Sequence, residues 1–152
     1  MRFVFVDRIE KIEKNKYARG IKTISFEEGF LKSPHGEEGF FPPLLLLESA
    51  SQLASWLIMY SSDFNRISTI TKIEKISFIE KVKTGTKLTI EVKILSLNEE
   101  GALVNAEVFT EGRLIAKGEN CMCVFANLEE YADKSEMKSW FLDLSSGVEF
   151  GG

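Results

Sequence analysis

The stretch FLKSPHGEEGFFPPLLLLESASQLASWLIM, residues 30–59, decides how this chain folds. It contains the only histidine, His35, and, thirteen residues later, a glutamate, Glu48. Residues 44–60 include four consecutive leucines and no Gly or Pro, and Pro43 suits the first turn of a helix. The pattern predicts one long helix with apolar or small side chains on every side, which the rest of the domain must wrap.

Segments on both sides of this helix alternate apolar and polar residues, as half-buried strands do. Residues 2–6 predict a short strand, and residues 8–28 predict a hairpin that turns at Asn15. Four more strand patterns follow the helix, at residues 66–82, 87–98, 101–112 and 113–127, with Gly- or Asn-containing turns between them. We therefore predict an α+β fold in which a curved antiparallel sheet wraps around one long buried helix.

The length of 152 residues fits a single domain, which we expect to span residues 1–127. Residues 128–144 predict a short amphipathic helix, and residues 145–152 predict a frayed tail. Cys121 and Cys123 lie two apart on a predicted strand, so they point to one face and are expected to be packing residues.

Composition and charge exclude several classes of protein. The net charge of −4 gives no reason to expect a nucleic-acid partner. No run of eighteen apolar residues is present, and the N-terminus changes to charged residues after six positions, too early for a signal peptide. We therefore expect a cytoplasmic protein that does not bind membranes. No motif for a metal, a nucleotide or a flavin is present, so no cofactor is predicted.

Several motifs together resemble the 3-hydroxyacyl-[acyl-carrier-protein] dehydratases of fatty-acid synthesis. They are VDRI at residues 6–9, PPLLLL at 42–47, ESASQ at 48–52, FIEKVKTGTKLTIEV at 78–92 and EGRLIAKGE at 111–119. The resemblance covers roughly residues 3–126. It implies a hotdog fold and a homodimer or higher oligomer whose sites form between subunits. It also implies an acyl thioester partner, carried on acyl carrier protein or coenzyme A.

The resemblance implies roles for two residues of the helix. Glu48 matches the acid that protonates the departing hydroxyl, and Gln52 matches its companion glutamine, one turn further along the same face. Burial in an apolar helix would favour the protonated form that an acid needs. The alternative for Glu48 is a structural carboxylate that is held by hydrogen bonds from the preceding loop.

The sequence departs from the family at the base and at the oxyanion donor. The family's histidine position is occupied by Pro34, and His35, the candidate base, lies one residue later. The family has a glycine N–H where this chain has Pro43, and proline carries no N–H. The N–H of Leu44, at the positive end of the helix, is then the candidate oxyanion donor and substrate contact.

Three functions follow as hypotheses. The first is a hydro-lyase acting on 3-hydroxyacyl thioesters, with Glu48 as acid and His35 as base. The second is a non-catalytic protein that binds an acyl thioester or partners an active homologue. The third is a hotdog thioesterase, in which Glu48 alone activates water or attacks the thioester.

Two further groups of residues have both a functional and a structural interpretation. Basic side chains on the hairpin and after the helix either dock an acidic carrier protein or a coenzyme A phosphate, or form solvated strand faces. They are Lys11, Lys14, Lys16, Arg19, Lys22, Lys72, Lys75, Lys81, Lys83 and Lys87. Trp56, Met59 and Phe64 either line an acyl tunnel or belong to the core.

Overall fold

The computed structural model describes residues 5–25 and 40–151. The elements, in chain order, are β1 (Arg8–Glu13), β2 (Tyr17–Thr23), β3 (Phe40–Phe41), α1 (Pro43–Ser61), β4 (Arg66–Phe78), β5 (Val82–Lys83), β6 (Lys87–Leu97), β7 (Gly101–Thr110), β8 (Arg113–Asn127), α2 (Lys134–Leu144) and β9 (Glu149–Gly151). None of the helices in the described ranges has the length and apolar character needed to cross a membrane.

Six strands form an antiparallel sheet in the order β4-β8-β7-β6-β2-β1, and β9 pairs in parallel with β1. Strands β3 and β5 form a separate pair. The predicted hairpin is confirmed, with Asn15 in the left-handed conformation at its turn (φ 61°). The turn between β7 and β8 is also as expected, since Glu111 and Gly112 both have positive φ.

The long helix α1 lies against one face of this sheet, which confirms the predicted fold class. Leu53 and Leu57 of α1 are fully buried, as are Ile90 and Val92 of β6. Gly20 in β2 lets the helix approach closely, because a Cβ at that position would lie 3.2 Å from Cδ1 of Leu53. The hydrophobic core therefore lies between α1 and the sheet.

The C-terminal segment packs as a second layer over the C-terminal half of α1. Asp133 caps α2 by accepting hydrogen bonds from the N–H groups of Ser135 and Glu136. Phe141 of α2 lies against the rings of Trp56, Tyr60 and Phe64, with centroid distances of 6.0, 5.2 and 5.5 Å. The three residues that could line an acyl tunnel are all buried in the core; they are Trp56, Met59 and Phe64.

The predicted short C-terminal helix is confirmed as α2, but its start and the last residues of the chain differ from the prediction. The single predicted helix over residues 128–144 is a short 3-10 turn at Leu128–Glu130 followed by α2, because Asp133 starts a new helix with its side chain. The predicted frayed tail contains β9, which pairs with β1 at residues 11–13. The unpaired edge of β1 gives these last residues hydrogen-bond partners that no local pattern indicates.

Cys121 and Cys123 are buried free thiols, as predicted for packing residues. Burial raises the pKa of both, and burial together with the neighbouring Cys121 raises that of Cys123 to about 11. Because the thiolate is the reactive form, a raised pKa lowers its concentration at a given pH. We expect Cys123 in the folded protein to react with an aromatic disulfide reagent at pH 8 at least roughly 100-fold more slowly than an exposed thiol.

Titration of thiols with and without denaturant measures this difference. Guanidinium should release two rapidly reacting thiols per chain, whereas the native protein should show neither. Fast reaction of one thiol in the native state would show that Cys121 and Cys123 are not both buried in the core as described.

Candidate functional site

The candidate site lies at the N-terminal half of α1. The helix begins at Pro43, with Pro42 as the preceding residue and without a side-chain cap. The N–H of Leu45 donates to the Pro42 carbonyl at 3.0 Å, whereas no described residue accepts a hydrogen bond from the N–H of Leu44. Leu44 is 71% exposed. A polar donor of the helix start is therefore next to an open apolar surface.

Glu48 and Gln52 lie one turn apart on one face of α1, as predicted, and the structure joins them by a hydrogen bond. Nε2 of Gln52 donates to Oε1 of Glu48 at 3.3 Å. The other end of the Gln52 amide is held by the backbone, because the Phe5 N–H donates to Oε1 of Gln52 at 2.9 Å. This bond determines which way the amide points. Gln52 therefore presents a donor to Glu48, and the second carboxyl oxygen of Glu48 is not occupied by this contact.

The predicted burial of Glu48 is wrong for the single chain, in which its side chain is exposed. Sequence composition makes α1 apolar on all sides, but the sheet covers one face only. Helix α2 covers a second face through Phe141, whose ring contacts begin at Trp56. Leu44 and Glu48 lie before that point, so neither the sheet nor α2 covers them. The face that carries the candidate acid is therefore exposed at Leu44 and Glu48.

The candidate base cannot be placed beside this pair. His35, and Pro34 at the family's histidine position, lie outside the described residues. The predicted role of His35 stays a prediction, as do the roles of Glu48, Leu44 and Gln52 in chemistry. The described part of the site consists of Glu48, Gln52, the Leu44 N–H and the aromatic rings of Phe5 and Phe41, which meet edge to face at 6.3 Å.

Sequence reasoning missed Lys22, which it grouped with the solvated lysines of the hairpin. Lys22 is 4% exposed. Its Nζ lies 3.6 Å from Oδ1 of Asp7 and 5.7 Å from the centroid of the Phe5 ring. The signal that was available is strand alternation, since Ala18, Gly20 and Lys22 are spaced by two residues and share one face.

The basic residues that follow α1 agree with the prediction of an exposed face. Lys72, Lys75, Lys81, Lys83 and Lys87 are all solvent-exposed. Lys72 and Lys75 are on β4, and Lys87 begins β6. These side chains can interact with an anionic partner, and they can equally serve as charged protection of an edge strand.

A cleft of about 550 Å³ lies at the other end of α1 and is lined by residues that include Asn15, Ser61 and Arg66. Ser61 is thirteen residues beyond Glu48, which corresponds to roughly 20 Å along a helix. This cleft is therefore separate from the candidate site. Within residues 5–25 and 40–151, no three His, Cys, Asp or Glu side chains lie close enough together to hold a metal ion.

The family profile of the FabA-like domain matches residues 1–119, which include α1 and the Glu48–Gln52 pair. The chain belongs to the FabA-like domain family. A curated relative, the 3-hydroxyacyl-[acyl-carrier-protein] dehydratase FabZ of Caldicellulosiruptor saccharolyticus, is 30% identical over 118 residues, covering 77% of this chain and 84% of the relative.

Solved structures share the fold at low sequence identity. A hot-dog-like protein from Thermanaerovibrio acidaminovorans matches with a TM-score of 0.64 and 16% identity, covering 84% of this chain and 90% of that one. The fluoroacetyl-CoA thioesterase FlK matches with a TM-score of 0.66 and 10% identity, covering 83% and 95% of the two chains. The domain therefore has the hotdog fold, as the sequence predicts.

Proposed function

We propose that this FabA-like protein is a hydro-lyase that acts on 3-hydroxyacyl thioesters, with Glu48 as the general acid. The observation that carries the proposal is the hydrogen-bonded Glu48–Gln52 pair on the open face of α1. Membership of the FabA-like family and the dehydratase relative support the same reaction. The substrate is an acyl thioester on acyl carrier protein or coenzyme A.

In the proposed reaction His35 removes the proton from C2 of the substrate, and the bond between C3 and the hydroxyl oxygen breaks. Glu48 gives its proton to the departing hydroxyl, so a 2-enoyl thioester and water are formed. Gln52 donates to one carboxyl oxygen of Glu48 and leaves the other for the substrate. The Leu44 N–H donates a hydrogen bond to the thioester carbonyl oxygen, and the positive end of α1 strengthens this interaction.

We also propose that a second copy of the chain covers the open face of α1 and completes the site. Strand β4 has thirteen residues and lies at the end of the sheet, so the backbone along its outer edge can pair with another strand. Exposed Ile76, Phe78 and Ile79 lie at the end of this edge. A symmetric pair formed there would bring together two copies of the same apolar surface.

This assembly is tested by replacing Ile76 with lysine. Wild-type protein should sediment at twice the 17.2 kDa mass of the chain, and Ile76→Lys should shift the equilibrium towards the monomer because it places a charge in the apolar contact. Leu142→Lys, at an exposed leucine of α2, is the control that should leave the mass unchanged. A monomeric wild type would contradict the proposed dimer.

The reaction is tested by hydration of a short enoyl thioester, offered on coenzyme A and on acyl carrier protein. Turnover supports the hydro-lyase, and release of free thiol instead would show a thioesterase, which the exposure of Glu48 to water permits. Binding of the thioester without either product would indicate a non-catalytic carrier-binding protein. The last two outcomes contradict the proposed function.

A further inference from the structure

Lys22 is the single charged residue among the buried polar residues of the described chain, and the reaction proposed above does not use it. Removing an ammonium group from water costs several kcal/mol unless partners compensate it. Such a residue in the core needs a physical reason.

Strand alternation places Lys22 on the side of β2 that faces α1. A Cβ at Gly20 would lie 3.2 Å from Leu53 of α1 and 3.3 Å from Cγ1 of Val6. Lys22 is two residues further along, so it points to the same side. Its neighbour across the ladder, Leu88 of β6, is fully buried. The Lys22 side chain is therefore buried on the side of β2 that faces α1.

Lys22 and Asp7 together hold the segment that precedes β1. Nζ of Lys22 lies 3.6 Å from Oδ1 of Asp7 and 5.7 Å from the ring centroid of Phe5. The second oxygen of Asp7 accepts the Thr23 N–H at 2.6 Å, and the Asp7 N–H donates to the Ile21 carbonyl at 2.8 Å. Residues 5–7 are thus attached to the end of β2 through an ion pair and hydrogen bonds that involve the backbone.

The same segment orients the candidate acid. The Phe5 N–H donates to Oε1 of Gln52 at 2.9 Å, and Gln52 donates to Glu48 at 3.3 Å. A displacement of Phe5 would break this hydrogen bond to the Gln52 amide and weaken the orientation of the amide towards Glu48. An error of about 1 Å at a reacting group can cost roughly 100-fold in rate.

We propose that Lys22, paired with Asp7, is a positioning residue that orients the Glu48 carboxyl through Phe5 and Gln52. Only the expected effect of Lys22 on the reaction rate rests on the proposed role of Glu48. The arrangement itself, from the ammonium group to the Gln52 amide, is a structural statement that can be tested in the absence of turnover.

The test compares Lys22→Met, which keeps all but the last atom of the side chain's length and removes its charge, with Lys14→Met. Lys14 forms an exposed pair with Asp63 at 3.0 Å, beside the C-terminal end of α1, and is the matched control. The side-chain amide signals of Gln52 and the hydrogen exchange of the Phe5 N–H are followed by NMR. Lys22→Met is expected to shift the Gln52 signals and to speed Phe5 exchange roughly 10-fold or more, and Lys14→Met to change neither.

Kinetics form the second arm of the test. Lys22→Met is expected to lower kcat roughly 10- to 100-fold with KM within about twofold, because substrate contacts are kept while the acid is misplaced. If Lys22→Met does not fold, the double change Lys22→Met with Asp7→Asn removes both charges together and is measured in the same way.

The two proposals fail in different ways. A wild-type protein that does not hydrate an enoyl thioester overturns the proposed function, while the NMR comparison still decides the role of Lys22. Lys22→Met with wild-type Gln52 signals and Phe5 exchange overturns the positioning role. Lower unfolding stability alone, with both signals unchanged, also overturns it, since that is the result expected for a purely structural lysine.

Discussion

Glu48→Gln is expected to lower the rate of enoyl-thioester hydration by roughly 10²- to 10⁴-fold, the usual contribution of a general acid or base. Glutamine has the size of glutamate and can still accept the hydrogen bond that Gln52 donates. It has no proton to give to a leaving hydroxyl and no carboxylate to receive one from water. The measurement is kcat/KM from the loss of the enoyl absorbance.

Glu130→Gln is the matched control for this variant, because Glu130 is an exposed glutamate on the 3-10 turn, remote from α1 in the chain. Its rate should equal that of the wild type. Since Glu48 is exposed, Glu48→Gln should keep the stability of the wild type within about 0.5 kcal/mol. Equal rates for wild type, Glu48→Gln and His35→Ala would remove the enzyme proposal altogether.

The same assay tests the two prolines at the family's functional positions. If His35 lies one residue from a productive position, the wild type will be slow. Pro34→His alone will not raise the rate, because Pro43 lacks an N–H and the Leu44 N–H lies one residue beyond the family's donor position. Pro34→His combined with Pro43→Gly should then raise it. A rate increase from Pro34→His alone would show that the Leu44 N–H is a sufficient oxyanion donor.

Phe141→Ala is expected to destabilise the fold by about 3–5 kcal/mol, the range for truncating a buried aromatic side chain. Phe141 is 3% exposed and stacks on Tyr60, with Trp56 and Phe64 on its other sides. Its removal leaves a cavity between α2 and the C-terminal half of α1. The free energy of unfolding from urea titration measures the loss.

Leu142→Ala, at the next residue of the same helix, provides the control. Leu142 is 67% exposed, so the change should cost no more than about 0.5 kcal/mol. If both variants were equally stable, α2 would not be part of the core in solution. Phe141 contacts α1 only from Trp56 onwards, beyond Glu48. The folded fraction of Phe141→Ala should therefore keep wild-type kcat.

Local patterns were sufficient for most of the elements. The hairpin at Asn15, helix α1 from Pro43 and the four strands after it were predicted because each has its own periodicity and its own turn residues. The pairing of Glu48 with Gln52 was predictable for the same reason, since residues four apart share a helix face. Strand β9 was not, because its partner β1 is far away in the sequence.

Local sequence patterns predict that one apolar helix crosses an antiparallel sheet and that this helix carries a carboxyl beside an amide. Which charged groups of the protein are covered depends instead on packing between distant elements. Glu48, expected inside, is exposed because the sheet and α2 leave that face of α1 open. Lys22, expected outside, is buried beside Asp7 and Phe5. Periodicity assigns a residue to a face of its own element, but burial depends on which distant element packs on that face.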